Sequence, residues 1–353
     1  MKMNTKEVDS HKLMYHPKRV TEWLEKGDCA PVYIEVGVTN RCNHKCIFCA
    51  LDWIAHGGKD IEKNALNSAL EGMVKSGVKS VMFAGEGEPL LHKNISEFVE
   101  NAKNYGLDVS ITTNGTRLTH EKANLILPFL SWIRFSIDAG SKESYAKVHG
   151  TKEEDFERTL ENLKYASKIK LQNRYKVTLG TQMLLIPETV NQIELLIEKV
   201  KNAGADNLQI KPYSHHPSSK NKFEVSPNVL DFLEDKIEKY NDDNFKVIYR
   251  KGSVDRIKSK GEYNECYGLP FFALIDAEGN IIPCNIYYGN KEFIYGNIYK
   301  NSFSEIWGSE KRKKVIEQIR TKGVERCREG CRLDSINRYL NRLKNPGGHD
   351  NFI

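Results

Sequence analysis

Residues 39–53 read "TNRCNHKCIFCALDW", which places Cys42, Cys46 and Cys49 close together directly after the β-branched run "PVYIEVGV" (31–38). A structural zinc site takes four protein ligands. The loop offers three thiols. His44 is the available fourth donor, but it lies inside the loop, where folding back onto the same ion is strained. Three thiolates on a four-iron cluster leave one iron without a protein ligand. An open iron is what a cluster needs to bind a reacting small molecule, so the spacing points to a cluster whose fourth position is kept for a cofactor.

Outward from this loop the chain alternates. Strands are expected at 31–38, 78–85, 107–115, 132–138, 175–185 and 206–213, with helices over about 60–76, 94–105, 119–130, 141–148, 154–170 and 189–203 between them. Six strands alternating with helices specify a parallel sheet with crossover helices. Sites in such folds sit at the carboxyl ends of the strands. The cysteine loop, "GEGEP" (85–89), "TTNG" (112–115), "SIDAG" (136–140) and "KPYSHH" (211–216) all occupy those ends. Beyond about 225 the pattern changes. A helix over 226–241 is expected, capped by Ser226 with Pro227 in its first turn. "FKVIYR" (245–250) is a candidate further strand, and "FFALIDAEGNIIPC" (271–284) reads as a hairpin around Glu278, Gly279 and Asn280. The division expected is an N-terminal extension (1–30), a barrel (31–250), a small cysteine-bearing domain (251–345) and a tail (346–353).

The eight cysteines fall as three, four and one: Cys42, Cys46 and Cys49; Cys266, Cys284, Cys327 and Cys331; and Cys29 alone. That grouping reads as metal ligation, not as a disulfide framework. Cys29 precedes the first strand and reads as an ordinary thiol. No apolar run approaches the roughly 20 residues of a membrane span, and the N-terminus lacks the apolar segment of a signal peptide. The expected location is the cytoplasm, with no membrane partner. A net charge of +6 is too diffuse to argue for nucleic acid, and is compatible with an anionic small molecule.

The loop resembles that of the radical S-adenosylmethionine (radical SAM, AdoMet) enzymes, whose motif of three cysteines with an aromatic residue before the last is matched by Cys42, Cys46, Phe48 and Cys49. The resemblance implies a partial (β/α)6 TIM barrel and a [4Fe–4S] cluster that binds AdoMet at its open iron. It implies reductive cleavage to a 5′-deoxyadenosyl radical that abstracts a substrate hydrogen, and a flavodoxin- or ferredoxin-type electron donor. Gly87, Glu88 and Pro89 match the family's glycine-rich segment for the methionine amine, with Glu86 in place of its first glycine. Ser136, Asp138, Asn114 with Thr113, and Gln182 match positions near the same cofactor. Asn-Gly and Asp-Ala-Gly also end strands by turn chemistry alone, so that reading stays open. The second cysteine group resembles the SPASM extension in its shortened Twitch form, with one auxiliary [4Fe–4S] cluster saturated by four cysteines. From spacing alone, a four-cysteine zinc site fits too.

Four functions are consistent with these residues. The leading one is oxidation of a small polar substrate, sugar-like or a nucleotide-sugar, with the auxiliary cluster as electron acceptor. Lys211, His215 and His216 are candidate anion binders or proton acceptors, against the alternative of a solvated loop. The others are peptide or protein maturation, radical epimerisation or elimination, and a zinc-bearing binding protein.

Overall fold

The computed structural model describes residues 11–54, 56–225, 233–259 and 261–352. One sheet runs through it, in the order β10-β9-β8-β1-β2-β3-β4-β5-β6-β7. Its first seven strands are β1 (Tyr33–Val36), β2 (Ser80–Phe83), β3 (Asp108–Thr113), β4 (Trp132–Ser136), β5 (Thr178–Leu185), β6 (Asn207–Pro212) and β7 (Lys246–Tyr249). All seven pair in parallel with their sequence neighbours. The sheet curls into an open barrel, the partial TIM barrel expected, with "FKVIYR" as its last parallel strand.

The crossover helices follow the expected alternation, at Lys63–Lys75, Ile95–Asn104, His120–Ile126, Lys142–His149, Glu154–Asn173 and Ile193–Asn202. The helix expected to run to residue 130 stops at Ile126. Pro128 lacks the N–H that would continue it, and a 3-10 turn over Leu127–Phe129 takes over. Of the helix expected over 226–241, Leu233–Glu238 is helical; its start at Ser226 and Pro227 lies outside the described residues.

β8 (Phe272–Ile275) and β9 (Asn280–Ile282) form the expected hairpin. Asp276 shapes its turn by accepting hydrogen bonds from the Glu278 and Asn280 N–H groups at 3.0 and 2.8 Å. β8 does not stand apart from the barrel. It pairs in parallel with β1, Tyr33 opposite Phe272 through Val36 opposite Ile275, so the cysteine-bearing segment prolongs the barrel wall. β10 (Gly296–Asn297) completes that edge.

Strand alternation divides the residues into two faces. Ile34, Val36, Val81, Phe83, Val109, Ile111, Ile133, Phe135, Leu179 and Leu208 point outward and are sealed beneath the helices. The other face lines the lumen with Glu35, Ser110, Thr112, Arg134, Gln182, Gln209 and Lys211. Barrel lumens are ordinarily filled by branched apolar side chains. A polar lumen is a chamber for something else.

A second, smaller core joins the N-terminal helix (Pro17–Lys26) to the C-terminal one (Asp334–Lys344) through Trp23, Tyr263, Tyr267, Phe271 and Leu340. Cys29 is packed there, its carbonyl accepting from Trp307 Nε1 at 2.9 Å. Burial pushes its thiol up to about 12. Beside it, Arg312 is fully buried, donates to both carboxylate oxygens of Asp28 at 2.8 Å and lies 3.8 Å over the Trp307 ring. Removing the carboxylate leaves a buried guanidinium without its partner. Asp28 is 39% exposed, which discounts the loss. Asp28→Ala is expected to cost about 2 kcal/mol in urea unfolding. A loss below about 0.5 kcal/mol, the ordinary range for a surface change, would contradict this account.

Candidate active site

The loop after β1 is tied at its base. Asn40 N–H donates to the Lys59 carbonyl at 3.0 Å, Lys59 N–H donates to Asn40 Oδ1 at 2.7 Å, and Arg41 grips Asp60 through two nitrogens. Its middle is laid across the end of the Lys142–His149 helix. Lys45 and Ile47 donate to the carbonyls of His149 and Val148, both at 2.9 Å. Gly150 permits this approach, because a Cβ there would meet the Lys45 carbonyl oxygen at 2.3 Å.

These ties present Cys42, Cys46 and Cys49 as three partly buried free thiols that feel one another's charge. Burial pushes Cys42 up to about 11 and raises Cys46 and Cys49 as well. Such thiols stay protonated until a metal displaces the protons. Three unbonded thiols on one tied loop fit a cluster with one open iron.

His44 does not join them from the front. Its ring is buried against Tyr145 and His149, with Nε2 3.7 Å from Asp155. Burial lowers its pKa to about 4. His44, Cys46 and His149 do bring three donor atoms within 4.8 Å of one another, a grouping that leaves out Cys42 and Cys49. His149 is the wall behind the loop. Its Nδ1 lies 3.3 Å from Cys46 Sγ, its Nε2 contacts the Ile137 carbonyl at 2.9 Å, and Phe48 packs edge-on at 5.2 Å.

The loop after β2 is locked to the first. A Cβ on Gly87 would stand 2.3 Å from the Thr39 carbonyl oxygen and 2.6 Å from that of Arg41, and Glu88 N–H donates to the latter at 2.8 Å. Glu88 is nearly sealed. Its Oε1 accepts from Leu90 N–H at 3.0 Å and Thr113 Oγ1 at 2.6 Å, and its Oε2 from Asn114 N–H at 2.8 Å. Desolvation raises its pKa against those three bonds. A carboxylate has about four acceptor positions, so one remains, at Oε2. Asn114 carries the connection back, donating to Asn43 Oδ1 at 2.9 Å. Pro89, buried, starts the short turn after Glu88. Glu86, the departure from the glycine-rich pattern, accepts from Ala277 N–H and so ties this loop to the hairpin. Burial pushes its pKa up to about 7.

Ser136 and Gln182 lie side by side on the lumen face. Asp138 is fully enclosed, at a φ of 51°. It accepts from Leu184 N–H at 2.6 Å and lies 3.5 Å from His149 Nε2, and burial raises its pKa to about 7. It braces β4, β5 and the wall behind Cys46. Lys211 points into the lumen. His216 is sealed, stacked on Trp53 at 5.5 Å with Nε2 3.3 Å from the Asn285 carbonyl. His215 is half-buried.

Cys266, Cys284, Cys327 and Cys331 form the second group: burial raises all four, and for Cys266, Cys284 and Cys327 the charge of another member adds to it. Asn337 Nδ2 donates to Cys266 Sγ at 3.5 Å and Leu333 N–H to Cys331 Sγ at 3.4 Å. N–H donors to sulfur are the means by which a protein tunes a cluster. Four thiols with such donors fit a saturated cluster. Arg332, beside Cys331, forms an ion pair with Glu35 in the lumen wall, and Arg328 donates to Ser214 in the loop after β6. The second group is therefore seated on the rim of the chamber.

Sequence reasoning had passed over Glu35, Arg134, Arg250, His149 and Asn43. A signal existed for Arg134: in "WIRFSID" it alternates with Ile133 and Phe135, which marks a charge on an inward face.

The model of the radical SAM superfamily matches residues 36–200, and that of the SPASM iron–sulfur cluster-binding domain matches 266–332. Among curated proteins, the chain is 28% identical over 298 residues to a GTP 3′,8-cyclase of Nautilia profundicola, covering 76% of this chain and 87% of that one. It is 23% identical over 316 residues to a tungsten-containing aldehyde ferredoxin oxidoreductase cofactor-modifying protein of Pyrococcus furiosus, covering 79% and 81%. Among solved structures, SuiB of Streptococcus suis bound to S-adenosylmethionine superposes with a TM-score of 0.68 at 16% identity, over 95% of this chain and 79% of that one. Native anSMEcpe with bound AdoMet gives 0.56 at 20%, over 89% and 95%. These two likenesses are of fold. Both cysteine groups fall inside the matched regions, and the chain belongs to the radical SAM superfamily, with a SPASM domain, S-adenosylmethionine and two [4Fe–4S] clusters.

Proposed function

We propose that this radical SAM enzyme is an oxidoreductase that dehydrogenates a small polar, anionic substrate, of sugar or nucleotide-sugar type, held in the lumen. The observation that carries the reading is the pairing of a three-thiol loop and a four-thiol group around one polar chamber. When bound, AdoMet supplies the hydrogen-abstracting 5′-deoxyadenosyl group, and the four-thiolate cluster of a Twitch-like domain supplies an electron acceptor. At the substrate, loss of one hydrogen atom, one proton and one electron turns a carbinol into a carbonyl.

The protein's own groups have separate tasks. Glu88 holds the loop after β2 and offers its remaining acceptor position to the AdoMet ammonium, a charge-assisted bond. Gly87 and Pro89 set that loop's path, and Asn114 fixes it to the cysteine loop. Ser136 and Gln182 present polar groups from the wall. Asp138 braces the strand ends. Lys211 adds an amine to the chamber wall, and burial and nearby guanidinium groups bring its pKa down to about 7. His215, half-buried in the loop after β6, is the proton acceptor of choice, and the stacked His216 serves the loop's shape.

The name of the GTP 3′,8-cyclase relative supports a small anionic substrate. On this reading residues 31–250 form the barrel and 251–345 the auxiliary domain, working in the cytoplasm with a flavodoxin- or ferredoxin-type donor. Among the described residues no helix is long and apolar enough to cross a membrane.

Cys46→Ala is expected to abolish 5′-deoxyadenosine formation in the anaerobically reconstituted enzyme; retained cleavage would remove the three-thiol assignment. Glu88→Ala orphans three buried donors and is expected to weaken AdoMet binding about tenfold or more while the cluster still assembles. Unchanged affinity would take Glu88 out of the amine site. Cys284→Ala/Cys331→Ala, provided its circular dichroism is native-like, is expected to keep AdoMet cleavage and to lose oxidised product. Product formed in step with 5′-deoxyadenosine would instead favour a redox-neutral epimerisation or elimination.

A further inference from the structure

The lumen wall carries more positive charge than its own acids neutralise. Arg134 on β4 and Lys211 on β6 both face inward, as does Arg250 just beyond β7. Arg250 bears on the charge of Arg134, and both bear on that of Lys211. Arg134 makes no hydrogen bond or ion pair among the described residues; its Nε is buried and unpartnered, and its guanidinium lies 4.7 Å from the Trp132 ring centroid. The Lys211 side chain likewise makes no hydrogen bond or ion pair among the described residues.

Among the described residues, the acids within reach form no ion pair with Arg134 or Lys211. Glu35 pairs with Arg332. Asp138 feels Lys211 without forming an ion pair with it; its Oδ1 accepts from Leu184 N–H, and its Oδ2, 3.5 Å from His149 Nε2, has no hydrogen-bond partner. The strain of unmet charge is visible in both cations. Burial first, then Arg250, brings Arg134 down to about 10; burial first, then Arg134 and Arg250, brings Lys211 down to about 7. Holding like charges together out of water is costly unless a counter-ion joins them.

We infer that Arg134, Lys211 and Arg250 form a phosphate subsite on the lumen wall, which anchors a phosphate-bearing substrate below the three-thiol loop. The inference rests on the reading of the lumen as the substrate chamber and names the substrate's chemical class. Phosphate is favoured over a single carboxylate by charge and shape. At least two unpaired cations match a dianion. Guanidinium groups bind phosphate oxygens in forked pairs, and an ammonium adds a point charge.

The test is equilibrium binding of radiolabelled inorganic phosphate and pyrophosphate to the anaerobically reconstituted enzyme, with succinate as competitor. Iron content and cluster absorbance serve as folding controls. The expected result is one anion site per chain, weakened about tenfold or more by Arg134→Gln and by Lys211→Met, and retained in Lys211→Arg. Lys211→Met without phosphate is expected to melt no lower than the wild type, since it removes an unpaired, half-buried charge. Phosphate is expected to raise the wild-type melting temperature and not the variant's. Unaltered binding in both variants would mean an adventitious ion only and overturn the subsite. Displacement by succinate at equal concentration would overturn the phosphate assignment. If phosphate binding behaves as expected and no 5′-deoxyadenosine forms, the subsite stands and the radical reading falls.

Discussion

The carboxylate of Glu88 is the knot on which the site depends. A buried acid must be compensated, and this one is held by Leu90 N–H, the Thr113 hydroxyl and Asn114 N–H. Those bonds bind the ends of β2 and β3 to each other. The Asn114 side chain then reaches Asn43, and Gly87 lies flat against the carbonyls of Thr39 and Arg41. Three loops from three strands thereby become one rigid frame around Cys42, Cys46 and Cys49. A cluster with an open iron needs such a frame, because the ligand that completes it must meet protein groups already in place.

The second constraint is the parallel pairing of β8 with β1. It makes the auxiliary cysteines part of the barrel wall, not a separate module on a linker. Glu86 to Ala277, Arg332 to Glu35 and Arg328 to Ser214 repeat the same connection from three directions. The two cysteine groups therefore face one chamber from fixed positions. An electron moving from a substrate to the auxiliary site requires that arrangement.

Much of this was legible in the sequence. Cysteine spacing announced both groups, and β-branched runs between helical stretches announced the parallel barrel, because both signals are local. The helix limits erred where Pro128 intervened. The joining of β8 to β1 is a contact between residues some 240 positions apart, and no local pattern encodes it. The cationic lumen was half legible: Arg134 and Lys211 each sit at an inward position, but that they meet, and that Glu35 pairs with Arg332 instead, is a property of the assembled sheet. Glu88 was expected at the methionine-amine site, but its role in tying the loops was not legible. Its three internal bonds come from Thr113, Asn114 and Leu90, whose approach depends on the β2–β3 register.

The central claim is that AdoMet binds one of two chemically distinct clusters. Electron paramagnetic resonance of the reduced, reconstituted enzyme tests it most directly, recorded with and without AdoMet, for the wild type and for a protein lacking Cys284 and Cys331. The account predicts two signals, of which AdoMet shifts one, and that the shifted signal is the one that survives loss of the auxiliary cysteines. A spectrum in which AdoMet perturbs neither signal, or in which the perturbed signal disappears with Cys284 and Cys331, would contradict it.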